Sequence, residues 1–190
     1  NISVLLDLDA REQPKIRIRF STSNPQDMSL DVIHTMAKHK NICKSIHLPV
    51  QSGSNNILKK MNRQHTREEY FELINNIKKL IPDCSISHDM ITGFPAETDQ
   101  DHQDTLDLMR HVKYDYGFMF AYSERPGTMA ARKIKDNIPE AVKKKRLEEI
   151  IDLQREHSNY RTNQFLGKNV TVMSEKASKK SSEYWSGRPT

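Results

Sequence analysis

The sequence predicts an α/β fold with a parallel sheet, followed by the start of a separate small β module. Three observations support this prediction. Short strand-like runs recur along the chain, amphipathic helical stretches lie between them, and the pattern changes after about residue 128. Strand–helix–strand repeats of this length imply a parallel sheet with right-handed crossovers. Strands are expected at residues 15–20, 42–50, 84–92 and 116–122.

The strand predictions depend on two kinds of pattern. Residues 15–20 (KIRIRF) alternate apolar and charged side chains, which is typical of a strand with one buried face. Pro49 and the polar run after it stop the second strand, and Gly93 closes the third. Residues 116–122 (YGFMFAY) are continuously apolar, which predicts a strand covered on both faces.

Helices are expected where apolar residues recur with helical spacing. Thr66 and Glu69 form a capping box before an apolar-periodic stretch that ends at Pro82. Thr98 or Asp99 begins an acidic-first helix that ends near residue 112, and further helices are expected from residue 29 or 31 and over about 54–61. A long amphipathic helix follows Pro139, over about 140–165, and its clustered lysines (Lys143, Lys144 and Lys145) are expected on the solvent face.

Composition excludes several classes of protein. The chain has 190 residues, of which 35% are hydrophobic and 29% charged, and its apolar residues cluster in periodic runs as in a folded domain. No apolar stretch approaches the roughly 18–20 residues that cross a bilayer, so we expect no membrane partner. Cys43 and Cys84 make neither a disulfide framework nor a metal motif, and are expected to be buried thiols in a reduced, cytoplasmic protein.

Charge and chain ends add two expectations. Residues 139–190 hold 11 Lys/Arg against 7 Asp/Glu, which places most of the net charge of +5 in the last quarter and favours an anionic partner. The chain starts without Met in an amphipathic segment and stops just after a turn. We interpret it as an excised piece of a longer protein.

Polar residues follow the predicted strands, at the sheet edge where α/β proteins bind ligands. The Gln51 side chain offers a hydrogen-bond donor and an acceptor for a ligand. The Ser-Gly-Ser run that follows it is also common in turns and helix caps, so a purely structural role is the alternative. Arg63 is either a solvated surface residue or a planar fork for a carboxylate. Asp89, inside an apolar strand, needs either a structural partner or a ligand hydroxyl. Arg125 either binds an anionic substrate or forms an Arg–Glu ion pair that stabilises a surface turn.

Other polar residues have mainly structural interpretations. His88 is expected to point to the face opposite Asp89, where it is packed or exposed. Glu97 is expected either to interact with a helix dipole or to brace the first turn of a helix. The histidines and cysteines show no shared ligand spacing, and the sequence contains no hydrolase triad order, phosphate-binding glycine loop or Walker lysine.

Four motifs together resemble the radical S-adenosylmethionine (SAM) methylthiotransferases. They are HLPVQSGSNNILKKMNR (47–63), HTREEY (65–70), DMITGFPAET (89–98) and FMFAYSERPGT (118–128). The string PVQSGS favours the branch that acts on tRNA at N6-isopentenyladenosine over the ribosomal-protein and threonylcarbamoyl-adenosine branches. The tail GKNVTVMSEKASKK resembles the first half of a TRAM domain, a small RNA-binding β-barrel.

The resemblance implies a partial (β/α) TIM-like barrel in three parts. Residues 1–135 would be the C-terminal part of the radical SAM barrel, 136–166 a helix that closes it, and 167–190 the truncated start of the TRAM domain. Cofactor binding is assigned by the resemblance to Gln51, Arg63, Asp89, Ile91, Gly93 and Ala121, and substrate binding to Tyr122, Ser123 and Arg125. Arg63 would bind the methionine carboxylate of SAM, Asp89 its ribose hydroxyls and Ile91 its adenine.

The resemblance also implies chemistry that this chain does not carry alone. In the family, one [4Fe–4S] cluster reduces SAM, the resulting radical takes hydrogen from adenine C2, and a second cluster helps to supply sulfur. The C-x-x-x-C-x-x-C loop and the family's N-terminal domain are absent from this sequence, so the chain is expected to hold neither cluster and to be inactive by itself. The expected partners are the tRNA anticodon stem-loop and a reducing electron donor, and the full-length protein is expected to be monomeric.

Two sequence departures and two alternatives accompany this hypothesis. Ala96 replaces the family's usual Gly, and His88 stands where Ser or Thr is commoner. One alternative is a non-catalytic RNA-binding adaptor, supported by the basic tail with Tyr184 and Trp185. The other is an α/β-barrel enzyme for a small phosphorylated metabolite.

Overall fold

The computed structural model describes residues 1–22, 24–181 and 183–189. A short 3-10 helix spans Pro25–Asp27. The helices are α1 (Ile2–Glu12), α2 (Leu30–Lys38), α3 (Asn55–Lys60), α4 (Arg67–Leu80), α5 (Asp99–Val112), α6 (Met129–Lys133) and α7 (Glu140–Asn163); the strands are β1 (Ser45–His47), β2 (Ser85–Thr92), β3 (Tyr116–Ala121), β4 (Val172–Ala177) and β5 (Trp185–Pro189).

The first three strands form the predicted parallel sheet, in the order β1-β2-β3. Ser45 pairs with Ser85, and Ser87 pairs with Tyr116. Backbone hydrogen bonds continue past the end of β1, since the Leu48 N–H donates to the Ser87 carbonyl over 2.8 Å. All three strands therefore end at one edge, which is where ligands bind in parallel α/β sheets.

The two faces of the sheet differ in burial. The core on the helix-covered face contains Ile86 and Met90 of β2, together with apolar residues of α2, α4, α5 and α7. The other face carries Tyr116, Phe118 and Phe120, which are 48%, 53% and 54% exposed. The prediction that β3 is covered on both faces is therefore wrong: the helices pack on one face only, and the aromatic side chains line the open one.

The predicted strand at residues 15–20 is also wrong. Only one bridge forms there, between Ile18 and Ile42, in which the Cys43 N–H donates to the Ile18 carbonyl over 2.9 Å. Alternation is present in the sequence, but a ladder needs a neighbouring backbone over several residues, and the neighbour joins the sheet only from Ser45.

Side-chain caps fix the starts of the two helices that flank β2. The Thr66 hydroxyl accepts from the Glu69 N–H, and the Glu69 carboxylate accepts from the Thr66 N–H over 2.7 Å, which confirms the predicted capping box. Thr98 and Asp101 form the same arrangement at the start of α5. Each cap satisfies two backbone N–H groups that a helix start otherwise leaves without partners.

Helix α7 packs through polar side chains. Lys144 and Lys145 are exposed as expected, but the expectation that Lys143 faces solvent is wrong. Lys143 is 2% exposed, and its ammonium contacts Asp136 and Glu140 at 2.6 and 2.7 Å. Further along the same face, the Gln154 amide contacts His88 of β2 over 2.9 Å and donates to the Tyr114 carbonyl over 3.0 Å. Hydrogen bonds thus replace much of the apolar stripe that a docked helix usually has.

The last two strands form a separate antiparallel hairpin. Its first strand begins at Val172 and its second at Trp185; Ser182, between them in the sequence, lies outside the described residues. Tyr184 and Trp185 are exposed. Within the described parts of the chain, no helix is both long and apolar enough to span a membrane.

Candidate cofactor and substrate site

Two adjoining cavities lie at the edge where the parallel strands end. The first, of about 320 Å³, is lined by Gln51, Arg63 and Ile91, with residues of α6 opposite them. The second, of about 410 Å³, also contacts Ile91 and is lined by the segment that follows β3. The predicted substrate residues all line this second cavity, beside Phe120 and Ala121: they are Tyr122, Ser123 and Arg125.

Backbone hydrogen bonds fix Gln51 at this edge of the sheet. Its N–H donates to the Asp89 carbonyl and its own carbonyl accepts from the Ile91 N–H, each over 2.9 Å. Its φ of 71° lies in the left-handed region, which a residue with a side chain adopts at a cost of roughly 1–3 kcal/mol. The sheet hydrogen bonds offset this cost, and they bring the predicted glutamine directly beside the predicted aspartate strand.

Arg63, which lines the first cavity, is influenced by the charge of Asp89. Burial lowers the pKa of the half-buried Arg63 guanidinium, and the negative charge of Asp89 acts in the opposite direction. On the other side of Asp89, the His47 Nε2 atom lies 3.4 Å from Oδ1. Gln51 and Arg63 line the first cavity, and Asp89 pairs with Gln51 through its backbone, but Asp89 and Gly93 are not among the residues that line either cavity.

The turn after β2 is braced by a buried ion pair. The Gly93 N–H donates to the Glu97 carboxylate over 2.8 Å, and Arg146 of α7 donates to the same oxygen over 2.8 Å. Burial raises the pKa of Glu97, while these two donors favour its charged form. Gly93 has a φ of 71°, and a Cβ there would lie 2.4 Å from the Lys143 side chain. Glu97 therefore braces the turn that begins at Gly93, before the N-cap of α5, and not the first turn of the helix as predicted.

The three predicted substrate residues differ in their surroundings. Ser123 and Arg125 are exposed, whereas the Tyr122 ring packs on Phe94 with ring centroids 5.0 Å apart. Burial raises the pKa of the Tyr122 hydroxyl, with Glu124 and Asp136 acting in the same direction. That hydroxyl is buried and has no hydrogen-bond partner among the residues the structure describes.

Sequence reasoning assigned no role to two features that contact this site. His47 opens the motif HLPVQSGS, but nothing in the sequence predicts its contact with Asp89. The short helix α6 lines both cavities through Ala130, although residues 129–133 carry no polar motif. Only the three-dimensional path of the chain places it over the strand ends.

The two cysteines do not fit an iron–sulfur cluster. Cys43 and Cys84 are buried free thiols, and burial raises the pKa of Cys84 to about 12. Cluster ligands are thiolates, which a raised pKa disfavours. Across residues 1–22, 24–181 and 183–189, no group of three or more His, Cys, Asp or Glu side chains is placed to hold a metal ion.

Comparison with known proteins gives consistent results. Residues 2–109 match the radical SAM superfamily. The chain is 68% identical over 99% of its length to tRNA-2-methylthio-N(6)-dimethylallyladenosine synthase of Christiangramia forsetii, and 61% identical over 97% to that of Flavobacterium psychrophilum. It spans 39% and 38% of these two proteins.

A solved structure shares the fold. Coproporphyrinogen III oxidase (HemN) of Escherichia coli, described as a radical SAM enzyme, superposes with a TM-score of 0.62 at 25% sequence identity. The match covers 82% of this chain and 36% of that one. Since the superfamily match also includes more than half of the residues, the chain belongs to the radical SAM superfamily.

Proposed function

We propose that this chain is the SAM-binding and substrate-facing part of a tRNA methylthiotransferase, which adds a methylthio group to C2 of N6-isopentenyladenosine beside the anticodon, at position 37. One observation carries the proposal: Gln51, Arg63 and Ile91 line one cavity at the strand ends, with Asp89 beside them. The names of the relatives from Christiangramia forsetii and Flavobacterium psychrophilum support this reaction.

The residues of the first cavity suit the chemical groups of SAM. The Arg63 guanidinium is a planar double donor that matches the methionine carboxylate. Asp89 would accept from the ribose hydroxyls, Gln51 would contact the amino-acid end, and Ile91 would pack against adenine, framed by Gly93 and Ala121. The two cavities measure about 320 and 410 Å³, in the range of cofactor pockets.

The cofactor and the side chains of this chain would supply different parts of the reaction. SAM bound beside a reduced iron–sulfur cluster supplies radical chemistry in this superfamily, and the side chains described here supply binding and orientation. The ligands of the two proposed [4Fe–4S] clusters would come from parts of the full-length protein outside this chain. We expect the chain alone to be inactive, and the full-length protein to need a reducing electron donor.

The open face favours an apolar substituent on the substrate base. Phe118 and Phe120 are half exposed there, and Phe120 lines the second cavity beside Ile91. An isopentenyl group buries apolar surface against such rings, whereas a threonylcarbamoyl group would bring a carboxylate that loses hydration. This surface supports N6-isopentenyladenosine over N6-threonylcarbamoyladenosine, with Tyr122, Ser123 and Arg125 toward the rest of the nucleotide.

Further features of the proposal concern the whole enzyme. The three-stranded sheet would be part of a (β/α) TIM-like barrel, and the β4–β5 hairpin the start of a TRAM domain that contacts the tRNA anticodon stem-loop. We propose a cytoplasmic, monomeric enzyme. A non-catalytic RNA-binding adaptor would not need the convergence of Gln51, Arg63 and Asp89, and is not favoured.

The test is Asp89→Ala in the full-length protein. We expect loss of SAM cleavage with unchanged tRNA binding, because the carboxylate contacts the cofactor and not the RNA. Asp9→Ala, at an exposed position of α1, is the matched control and is expected to leave both unchanged. Cleavage that persists while tRNA binding fails would contradict the proposal. Iron analysis is expected to give about eight irons per full-length chain, from two four-iron clusters.

A further inference from the structure

His47 lies at the end of β1 on the open face, between two side chains of β2. Its Nδ1 atom is 2.9 Å from the Ser87 hydroxyl, and its Nε2 atom is 3.4 Å from the Asp89 carboxylate. Two further contacts fix the residue: its carbonyl accepts from the Thr22 hydroxyl over 2.6 Å, and its ring lies edge-on to Phe118 with centroids 6.2 Å apart. The imidazole is therefore held in one orientation by groups on both sides.

The contacts determine which nitrogen carries a proton. If the Ser87 hydroxyl donates to Nδ1, the neutral imidazole has its proton on Nε2, facing Asp89. If Ser87 donates instead to the Ile46 carbonyl, 3.4 Å away, then Nδ1 donates to Ser87. The 3.4 Å distance is long for a hydroxyl donor, which favours the first arrangement, with the Nε2 N–H toward the Asp89 carboxylate.

We infer that His47 is a positioning residue that holds the Asp89 carboxylate toward the ribose hydroxyls of SAM; the inference rests on the proposed function. Asp89 has a competing partner, because its charge already acts on Arg63. Without the His47 contact, the carboxylate can rotate away from the ribose hydroxyls, and it then accepts less well from them.

The test measures equilibrium binding of two probes to the full-length protein: S-adenosylhomocysteine and its analogue lacking both ribose hydroxyls. We expect His47→Ala to weaken S-adenosylhomocysteine binding by about tenfold, the size of one lost charge-assisted contact. His47→Gln, whose amide replaces the Nε2–H donor, is expected to restore the affinity to within about threefold. His34→Ala, at an exposed position of α2, is the control.

The analogue separates positioning from general damage to the fold. It cannot use the Asp89 carboxylate, so we expect all His47 variants to bind it equally. Equal weakening of both probes, or an unchanged affinity of His47→Ala for S-adenosylhomocysteine, would overturn the inference while leaving the proposed function intact. If the unsubstituted protein binds neither probe, the proposed function fails, and the inference fails with it.

Discussion

Gly117 in β3 lies directly against the imidazole of His88 in β2, so a methyl group at this position has no space. A Cβ on residue 117 would be 2.2 Å from the His88 Nε2 atom and 2.5 Å from Cε1. The ring cannot easily move aside, because it is fully buried, hydrogen-bonded to Gln154 over 2.9 Å, and packed against the tilted ring of Tyr114 with centroids 4.3 Å apart. Gly117→Ala is therefore expected to displace the point where α7 contacts the sheet.

The cost follows from these contacts. Overpacking a filled core costs about 1–3 kcal/mol, and a lost buried hydrogen bond to Gln154 costs about 1 kcal/mol more. Replacing Gly by Ala stabilises by about 0.4–1 kcal/mol through the unfolded state, because the φ of Gly117 is not left-handed. The net loss in the free energy of unfolding is about 1–3.5 kcal/mol.

A double-mutant cycle isolates the clash. His88→Ser removes the ring, so in that background Gly117→Ala is expected to cost less than about 1 kcal/mol, giving a coupling energy of about 1.5 kcal/mol or more. Urea titrations followed by circular dichroism supply the four free energies of unfolding. An equal cost of Gly117→Ala in both backgrounds would refute the proposed contact.

Three further predictions concern the same helix-covered side of the molecule. Ala96 has a φ of 63°, so Ala96→Gly is expected to raise the free energy of unfolding by about 1 kcal/mol in urea titrations, and a loss of stability would contradict this. Arg146→Leu leaves the buried Glu97 carboxylate without its cation and is expected to lower the free energy of unfolding by about 3–5 kcal/mol. The control Arg155→Leu, at an exposed ion pair, is expected to change it little. Similar losses for both variants would contradict the role of the buried ion pair. Burial lowers the pKa of His88 to about 4, against a value near 6.5 in the unfolded chain. Between these pH values the unfolded chain binds the extra proton, so the free energy of unfolding falls as pH falls, by up to about 1.4 kcal/mol per pH unit. A pH titration of the free energy of unfolding is expected to lose this component in His88→Ser.

The sequence predicted best those parts of the fold that local chemistry determines. The capping box at Thr66 and the end of β2 at Gly93 follow from residue types within a few positions, and both are confirmed. The parallel sheet follows from the alternation of strands and helices. The position of Gln51 beside β2 follows in turn, because strand ends of a parallel sheet share one edge. Arg63 lies instead in the connection between α3 and α4, and only the tertiary path of the chain brings it to the same cavity.

The errors arise where burial depends on distant parts of the chain. An apolar run such as β3 is compatible with a strand covered on two faces or with an open face lined by aromatic rings, and only the positions of α5 and α7 decide between them. Lys143 is buried because Asp136 and Glu140 neutralise it beside Gly93. The local sequence pattern contains no sign of such tertiary partners, and by itself it predicts that a cluster of lysines is exposed to solvent.

The central claim is that distant polar residues form one SAM site, and a crystal structure of the full-length protein with SAM tests it most directly. We expect the methionine carboxylate to contact the Arg63 guanidinium, with the ribose hydroxyls at Asp89 and adenine against Ile91. A ligand bound elsewhere, with Arg63 and Asp89 paired only to each other, would contradict the account.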